Sequence, residues 1–580
     1  MTFPTPRGRR VAIVHPPDML WEAKLEEPPV FNPPRTQTAA FHALAAAGNI
    51  TGPLLYLNYC HPNDFKALAD QGIEARGAVA LCRYYGTQPD LAMKIKAAQD
   101  AGVLGVLVYS DPADDGFKKG NPWPDGKWRS GESVQRGSAA RTNMIMGDVL
   151  TPGNPSIKKQ GRMSPSHSPG LPKIPSLPLS WKDAQQLLKS LNGLGQELPD
   201  DWRGGVPDVG DKWFSGHPKT SPQINLRNDQ DEVEQQRITN VFGSLKGSED
   251  SLGKIIVGNH RDSWCFGAAD PGSGTAVMLE VARVLGELRV QGWRPLRTIE
   301  FASWDAGEYN RIGSTEHVEA NVKELRSSAV AYLNVDVGVT GDRLWANGSP
   351  MFQHAWLRVL EDITDPHTNR TFKELWETKN AKIGNLNAGS DHIAFQSIAG
   401  TSSIDFGFAG DDKGHAPNPM AHSCFETLSW MKKYIDPDFT YHALLAQIWV
   451  LLILQLAQEP ILPLKINDYA HSLQEEGRKL LEWAESMADG SDVAILQPLV
   501  DSLSMFKKKA NEFHVWESVW YNQVYATGGF ESQTVTMQRV AHNSKIARLE
   551  SDLLDLPMNK EDKSEHGVSF SIAALWKLCG

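Results

Sequence analysis

The sequence contains little cysteine and no Cys-X-X-Cys pair. Only five cysteines occur in 580 residues, and five is an odd number. They are Cys60, Cys82, Cys265, Cys424 and Cys579. This pattern argues against a disulfide scaffold and against a thiolate zinc finger, and it predicts that the cysteines act as small buried hydrophobic side chains.

An excess of basic residues and a long apolar run are also lacking. The net charge is -11 and the pI is about 5.9, which argues against a nucleic-acid partner. The N-terminus MTFPTPRGRRVAIVHPP has no apolar core of the kind that a signal peptide requires. The most apolar segment, residues 442–457, is shorter than the ~20 residues that span a bilayer. We therefore predict a buried core helix there and no membrane segment in the chain as written.

The composition is that of a globular protein with more than one domain. Hydrophobic residues make up 41% and aromatic residues 9% of a chain that is too long for one hydrophobic core. Residues 50–110 alternate short strands with helices, which indicates an α/β module, and residues 110–233 read as long loops. From about residue 238 the alternation predicts a mostly parallel sheet covered by helices, and after about residue 463 only helical patterns remain.

Histidine and acidic residues follow several strands of the predicted parallel sheet. They are His260 after KIIVG, Asp270 in the turn ADPGSG, Glu308 after TIEFASW, Asp336 at the end of AVAYLNVD and His422 after SSIDFGF. Each alone is more often structural, but the carboxyl ends of parallel strands open onto one crevice, so we expect the five to converge. Two histidines and three carboxylates, one of them bridging, suit a pair of zinc ions that polarise a carbonyl and acidify a shared water.

Long stretches of the chain resemble one known family. GNHRDSWCFGAADPGSG, GWRPLRTIEFASWDAGEYNRIGSTE, AYLNVD and AHSCFET resemble the glutamate carboxypeptidase II and transferrin receptor family, within the M28 co-catalytic zinc peptidases. YSDPADDG and WPDGKWRSGESVQRG resemble the family's protease-associated (apical) insert, and DPDFTYHALLAQ with the helices after it resembles its dimerisation domain. SDHIAFQSIAG and SIDFGF are most similar to the fungal, vacuolar-sorting-like branch.

The resemblance implies a three-part architecture of the α/β class. It places an apical, protease-associated α/β insert at residues 1–233, a zinc-peptidase domain with a mostly parallel sheet at 234–462, and a helical dimerisation domain at 463–580. It further implies a homodimer, a peptide or small amide substrate, and a membrane-anchored secretory or vacuolar origin. The family's anchor helix and first peptidase segment, and its final segment, are expected to be missing from the two ends.

The family pattern implies a role for each candidate residue. His260 and Asp336 would bind one zinc ion, Glu308 and His422 would bind the other, and Asp270 would bridge both. A sixth residue, Arg136 in SVQRG, would reach from the apical domain toward a substrate carboxylate, a contact that suits a permanently charged, bidentate guanidinium group.

Two positions depart from the family pattern at the reacting centre. Gly307 stands where the family has its general base, and loss of a positioned general base typically costs about 10²–10⁴-fold in rate. Ala421 stands where active members carry a tyrosine whose hydroxyl stabilises the oxyanion, and loss of one such donor costs about 10²–10³-fold. In addition, GFAGDDKGHAPNPM lacks the arginine pair that selects C-terminal glutamate, so glutamate specificity is not expected.

Three functional hypotheses follow from this pattern. The first is a zinc-dependent hydrolase with weak or altered activity, and the second is a catalytically inactive binding or scaffold protein of the transferrin receptor type. The third is a metal site that serves only to stabilise the fold. A sequence error at Gly307 would leave the independent change at Ala421 unexplained.

Overall fold

The computed structural model describes residues 3–233, 236–249, 253–410, 418–487, 496–526 and 531–554. The first of these segments forms a seven-stranded sheet and a separate strand pair. Its strands are β1 (Phe3–His15), β2 (Trp21–Glu22), β3 (His42–Ala43), β4 (Gly48–Tyr56), β5 (Val79–Arg83), β6 (Gly105–Tyr109), β7 (Gly137–Ser138), β8 (Ser176–Leu179) and β9 (Gln223–Val233). The sheet order is β2-β1-β9-β4-β5-β6-β8, and the small pair is β3-β7.

This sheet is parallel at one side and antiparallel at the other. Strands β4, β5, β6 and β8 run parallel, whereas β9 pairs antiparallel with both β1 and β4. Strands β5 and β6 are buried along their whole length, which is why VALCR and GVLVY read as nearly continuous apolar runs. The accompanying helices are α1 (Pro62–Ala69), α2 (Leu91–Asp100) and α3 (Trp181–Lys189), with 3-10 turns at Pro17–Met19, Pro165–His167 and Asp200–Trp202.

The second sheet is the one that carries the predicted ligands. Its strands are β10 (Val241–Leu245), β11 (Lys254–His260), β12 (Thr298–Trp304), β13 (Ala329–Asn334), β14 (Arg343–Gly348) and β17 (Ser403–Ala409), and a separate hairpin consists of β15 (Thr364–Asp365) and β16 (Arg370–Thr371). The order is β10-β12-β11-β13-β17-β14. The four central strands are mutually parallel and the two edge strands are antiparallel, so the predicted mostly parallel sheet is confirmed.

Helices cover this sheet and continue to the end of the described chain. They are α4 (Gly272–Val290), α5 (Gly307–Asn310), α6 (Ile312–Ser328), α7 (Gln353–Glu361), α8 (Phe372–Thr378), α9 (His392–Ala394), α10 (Leu428–Trp430), α11 (Thr440–Gln458), α12 (Ile466–Met487), α13 (Gln497–Ala526) and α14 (Gln533–Leu553). A 3-10 turn lies at Pro350–Phe352, and π-helical turns lie at Phe395–Ala399 and Met431–Ile435. The predicted helical C-terminal part is confirmed as far as the structure describes it.

The apolar segment 442–457 forms most of α11, which packs against α4, α7 and the sheet. Among the described helices, α11 is the only one whose length and composition would allow it to cross a membrane. Its side chains Leu445, Ile448 and Trp449 are nevertheless fully buried in the main core. The predicted core helix is therefore confirmed.

The expectation for the cysteines is wrong in one respect. Cys60, Cys82 and Cys424 are fully buried as expected, but Cys60 is disulfide-bonded to Cys82 and Cys265 to Cys424, with Cα–Cα distances of 5.7 and 5.1 Å. The partners are 22 and 159 residues apart, so only the path of the folded chain brings them together. Cys579 lies outside the described residues, and the domain boundaries at 233/234 and 462/463 stay predictions.

Candidate metal centre

The predicted ligands lie at the carboxyl edge of the central parallel strands. His260 is the last residue of β11, and Asp336 follows β13, its neighbour in the sheet. Glu308 lies in the short helix α5, just after β12 on the other side of β11. Asp270 precedes α4, and His422 lies in the loop between β17 and α10. The expected convergence at one sheet edge therefore occurs.

The side chains of these residues form two groups that share Asp270. The first group is His260, Asp270 and Asp336, and the second is Asp270, Glu308 and His422. Within each group the candidate ligand atoms lie within 4.8 Å of one another. One carboxylate thus belongs to both groups, which is the arrangement that a bridging ligand requires.

The distances show that each oxygen of Asp270 faces a different histidine. His260 Nε2 lies 3.3 Å from Asp270 Oδ1 and 2.8 Å from Asp336 Oδ1. His422 Nε2 lies 3.3 Å from Asp270 Oδ2 and 3.6 Å from Glu308 Oε2. Both imidazoles therefore point the same nitrogen, Nε2, at the shared carboxylate.

The other nitrogen of each imidazole is held by a backbone carbonyl. His260 Nδ1 donates to the Asp262 carbonyl oxygen at 3.0 Å, and His422 Nδ1 donates to the Arg136 carbonyl oxygen at 3.0 Å. A carbonyl can only accept, so the proton of the neutral imidazole is fixed on Nδ1 and the Nε2 lone pair is left to face a cation. This second contact is usual for histidines that bind metals.

The electrostatics of the site favour added positive charge. Burial lowers the pKa of His422, but the charges of Glu308 and Asp270 outweigh burial and raise that pKa to about 9. Burial also raises the pKa of Glu308, and the charge of Asp270 raises it further, to well above its usual range. Without a metal the acidic cluster thus retains protons, which a divalent cation would replace.

Two buried oxygens support this interpretation. Asp270 Oδ1 and Glu308 Oε1 are buried and accept no hydrogen bond from any described residue. Buried polar atoms normally form hydrogen bonds, so a buried carboxylate oxygen without a donor calls for another partner such as a metal ion. The neutral imidazole and carboxylate donor set also fits zinc, so the residues present fit the metal that the sequence predicts.

Sequence reasoning missed two acidic residues that position the ligands. The Asp262 carboxylate accepts from the backbone N–H groups of Gly307 at 2.8 Å and Glu308 at 3.2 Å. Glu426 Oε1 accepts from the N–H groups of Ala269 at 2.9 Å and Asp270 at 2.6 Å. The only sequence signal was proximity, because Asp262 lies two residues after His260 and Glu426 lies four after His422.

The two positions that the resemblance singles out, Gly307 and Ala421, are each adjacent in the chain to a candidate ligand. Gly307 and Ala421 immediately precede Glu308 and His422. A Cβ atom built on Gly307 would lie 2.7 Å from His260 Cβ and 2.8 Å from His260 Cγ. A side chain at Gly307 would therefore meet His260, one of the candidate ligands.

Arg136 lines the cavity over the ligand groups, but its guanidinium is also held by contacts within the protein. Its guanidinium is 1% exposed and pairs with Glu27, with 2.8 Å between Arg136 Nη2 and Glu27 Oε2. It also donates to the carbonyl oxygens of Thr38, Ala39, Val134 and His422. These contacts tie the apical segment to the His422 loop, and the expected role of Arg136 toward a substrate carboxylate stays a prediction.

A cavity of about 500 Å³ opens over the two groups. Its walls come from the apical segment, including Tyr84 and Thr142, and from the peptidase-type segment, including Arg311 and Asp391. A substrate at the metal groups would therefore contact both parts of the chain.

Three family models match the chain. Peptidase family M28 matches residues 240–443, the PA domain matches 50–141, and the transferrin receptor-like dimerisation domain matches 494–570. The M28 match contains all five predicted ligands, and the PA match contains Arg136.

Curated relatives align over most of this chain. "Aminopeptidase NAALADL1" of Rattus norvegicus is 35% identical over 497 residues, which are 81% of this chain and 65% of the relative. "Probable glutamate carboxypeptidase AMP1" of Arabidopsis thaliana is 34% identical over 476 residues, 81% of this chain and 63% of the relative. "Inactive zinc metalloprotease C354.09c" of Schizosaccharomyces pombe is 30% identical over 530 residues, 89% of this chain and 64% of the relative. The chain thus spans slightly less than two thirds of the length of these relatives.

The three domain types occur here in one chain and in the order that the sequence resemblance implies. The fold is an M28 peptidase fold with a PA-domain insert and a C-terminal helical domain. The chain belongs to the glutamate carboxypeptidase and transferrin receptor-like family of M28 peptidases.

Proposed function

We propose that this chain is a zinc metallopeptidase-type hydrolase of peptides or small amides whose turnover is slow. The observation that carries this proposal is the pair of ligand groups sharing Asp270 beneath a cavity of about 500 Å³. The slow turnover follows from Gly307, because a glycine cannot take a proton from the attacking water or pass one to the leaving amine.

Each ligand has a defined task in this proposal. His260 and Asp336 would hold one zinc ion, Glu308 and His422 would hold the other, and Asp270 would serve both groups. When bound, such a pair polarises the scissile carbonyl and acidifies a shared water. The protein supplies the orientation: carbonyl contacts fix the imidazoles, Asp262 holds the backbone of Glu308, and Glu426 holds that of Asp270.

The other carboxylates at the cavity are each engaged through one oxygen. Two further carboxylates line the cavity, Asp90 and Asp391. Asp90 caps α2 by accepting from Ala92 N at 2.8 Å. Asp391 Oδ1 accepts from Ser314 Oγ at 2.5 Å. Ala421 has no hydroxyl to stabilise the oxyanion. We therefore expect hydrolysis to depend on the metal pair alone.

The test measures zinc and turnover on the same preparation. Zinc is quantified by mass spectrometry, and release of C-terminal residues from a mixed peptide pool is assayed alongside an Asp270→Asn control. Two zinc ions per chain, with turnover that the control abolishes, support the proposal. Two zinc ions without turnover favour the second candidate below, and an absence of zinc contradicts the ligand assignment itself.

A second candidate function is a non-catalytic binding or scaffold protein. It is favoured by the position of Gly307 against His260 and by the engagement of Arg136 with Glu27. A relative that is 30% identical is also named an inactive zinc metalloprotease. The discriminating variant is Gly307→Glu combined with Ala421→Tyr, assayed at saturating zinc. If the parent already turns over peptides and the double variant gains nothing, the binding hypothesis is wrong.

We further propose a homodimer formed through the C-terminal helices. The matched transferrin receptor-like dimerisation domain, residues 494–570, supports it. The described C-terminal helices also carry exposed apolar side chains that such an interface could cover: Trp483 on α12 is 60%, Val515 on α13 63% and Met537 on α14 66% exposed. Light scattering coupled to size exclusion should give about twice the chain mass of 64.1 kDa; the monomer mass at micromolar concentration would contradict the proposal.

The two disulfides suggest the type of cellular compartment through which the protein passes. Four of the described cysteines are paired, and disulfides persist mainly in secretory, vacuolar or extracellular surroundings. We propose passage through such a compartment. Thiol labelling of protein from its native source, before and after reduction, tests this; four cysteines that react without reduction would contradict it.

A further inference from the structure

The Cys265–Cys424 disulfide joins the two loops that carry metal ligands. Cys265 lies midway between His260 and Asp270, and Cys424 lies two residues after His422. The bond closes a loop of 159 residues and brings the two Cα atoms to 5.1 Å. The other disulfide, Cys60–Cys82, lies within the apical segment and touches no ligand loop.

His422 needs such support because of its backbone conformation. Its φ is +60°, in the left-handed region that a non-glycine residue adopts only when its surroundings enforce it. Noncovalent contacts hold the segment from the apical side. Arg129 Nη2 donates to the Ala421 carbonyl oxygen at 3.0 Å, and the Arg136 N–H donates to the His422 carbonyl oxygen at 3.2 Å.

The Cys265–Cys424 disulfide links the His422 loop covalently to the loop that carries Asp270. The Cys424 N–H donates to Glu27 at 3.1 Å, while the Cys424 side chain is bonded to Cys265 and fully buried. Asp270 itself is held to the same loop by Glu426. The disulfide and the Glu426 contacts therefore both join the Asp270 loop to the residues next to His422, and only the disulfide is a covalent link.

We propose that the Cys265–Cys424 disulfide is a positioning element of the metal centre and makes zinc binding in the Asp270–Glu308–His422 group sensitive to redox state. This inference rests on the proposed zinc function. The oxidised pair holds His422 at ligand distance, and reduction releases the loop and weakens that group. The His260–Asp270–Asp336 group keeps its ion, because His260 and Asp336 are placed by β11 and β13, which pair directly in the sheet.

The reduction is an ordinary thiol–disulfide exchange with a dithiol as reductant. The thiolate of the dithiol attacks Sγ of half-buried Cys265, and the Cys424 sulfur leaves as a thiolate and takes up a proton. The second thiol of the reductant then displaces Cys265 and becomes part of a cyclic disulfide. Two electrons and two protons pass to the protein, which gains two thiols.

The test treats the full zinc-loaded chain with a phosphine reductant. Reduction of the disulfide consumes one water and converts the phosphine to its oxide. Chelating dithiols are avoided because they bind zinc. The background variant Cys60→Val/Cys82→Val leaves Cys265–Cys424 as the one reducible bond among the described cysteines, and it is the matched control when left untreated. Zinc per chain is measured after dialysis against a buffered chelator, and cobalt substitution gives an absorption signature for each ion.

We expect the untreated background variant to keep two ions. After reduction it should keep one, with the affinity for the second lowered about 10–100-fold, the usual effect of losing support behind a ligand. Reoxidation should restore the second ion and its cobalt band. The variant Cys265→Val/Cys424→Val, which keeps the volume apolar, should behave like the reduced protein without treatment.

Two results overturn the inference. Retention of both ions with unchanged affinity after verified reduction shows that the disulfide does not position His422. Loss of both ions together shows that it holds the fold in general and not the second group. An oxidised parent that binds no zinc is a different result, because it contradicts the proposed function itself.

Discussion

Gly307 lies directly against His260, one of the candidate metal ligands. A Cβ on Gly307 would come within 2.7 Å of His260 Cβ and within 3.0 Å of His260 Nδ1. Real Cβ atoms do not approach that closely, and the atoms met belong to the stem and ring of a buried side chain. A side chain at this position therefore requires a shift of His260 or of the backbone at Gly307.

The first prediction is that Gly307→Glu alone weakens zinc binding before it restores catalysis. Displacement of the His260 ring disturbs its contacts with Asp336 and with the Asp262 carbonyl, and changes of this kind lower metal affinity about 10–100-fold. Zinc affinity is measured by competition with a chelating dye. Gly307→Ala is the matched control, because it adds the Cβ without the carboxylate and should show a similar loss. Unchanged affinity in both variants would show that His260 does not compete for this space.

The second prediction concerns the shared ligand. Asp270→Asn removes the negative charge common to both groups, so zinc per chain should fall from two to less than one. His422→Ala affects only the second group and should leave one ion. Mass spectrometry after dialysis gives both numbers.

Asp305→Asn is the matched control for Asp270→Asn. Asp305 is a neighbouring aspartate after β12 whose Oδ2 accepts from Thr239 N at 2.7 Å and which belongs to neither ligand group. The Asp305→Asn variant should retain two ions.

Chelation also tests the hypothesis that the metal site only stabilises the fold, because such a site predicts a large fall in melting temperature when zinc is removed. An unchanged melting curve after demonstrated removal would exclude that hypothesis.

The third prediction concerns the Arg136–Glu27 pair. Both side chains are 1% exposed, and removal of one partner from a buried ion pair leaves an uncompensated charge, at a cost of about 3–5 kcal/mol. Glu27→Gln should therefore lower the free energy of unfolding by about that amount, measured by urea denaturation. Lys182→Gln, which breaks the exposed pair with Glu132, is the control and should change it by less than about 1 kcal/mol.

KM and the free energy of unfolding of Arg136→Lys distinguish a role in substrate binding from a role in holding the fold. If Arg136 instead served a substrate carboxylate, Arg136→Lys would raise KM while the free energy of unfolding stayed the same. A KM effect without loss of stability would contradict the engagement with Glu27 as its main role.

The sequence predicts those parts of the site that depend on local pattern. His260, Glu308 and Asp336 each follow an apolar strand, and the rule that parallel strands end at one edge is enough to bring them together. The path of the folded chain decides the rest. Arg136 is paired with Glu27 through a loop without periodic pattern, and Cys265 meets Cys424 across 159 residues. Neither pairing leaves a signal in the spacing of residues along the chain.

The last prediction concerns two buried charges in the apical segment, Asp114 and Lys94. Tyr59 donates its hydroxyl to Asp114 Oδ1 at 3.2 Å, and Lys94 Nζ donates to the Tyr59 carbonyl oxygen at 2.8 Å. Burial raises the pKa of Asp114 to about 7 and lowers the pKa of Lys94 to about 7. Folding therefore shifts both groups toward their neutral forms relative to the unfolded chain.

The two shifts act on stability in opposite pH windows. Between pH ~4 and ~7 folded Asp114 keeps a proton that the unfolded chain has lost, so its contribution to stability falls as pH rises. Between pH ~7 and ~10 the unfolded chain keeps a proton that folded Lys94 has lost, so the contribution of Lys94 rises with pH. The combined contribution of the pair should be lowest near neutral pH.

Urea denaturation from pH 4.5 to 9.5 tests this, with slopes that approach ~1.4 kcal/mol per pH unit for one proton. Asp114→Asn should make the falling slope on the acidic side shallower by up to one proton and leave the alkaline side unchanged, because other buried carboxyls such as Glu316 and Glu550 keep their own raised pKa values. Lys94→Met should make the rising slope on the alkaline side shallower and leave the acidic side unchanged. Asp125→Asn, at an exposed aspartate in the same segment, is the control and should follow the parent across the range. If Asp114→Asn and Asp125→Asn give the same profile, burial does not shift the titration of Asp114, and the apical segment tolerates both charges.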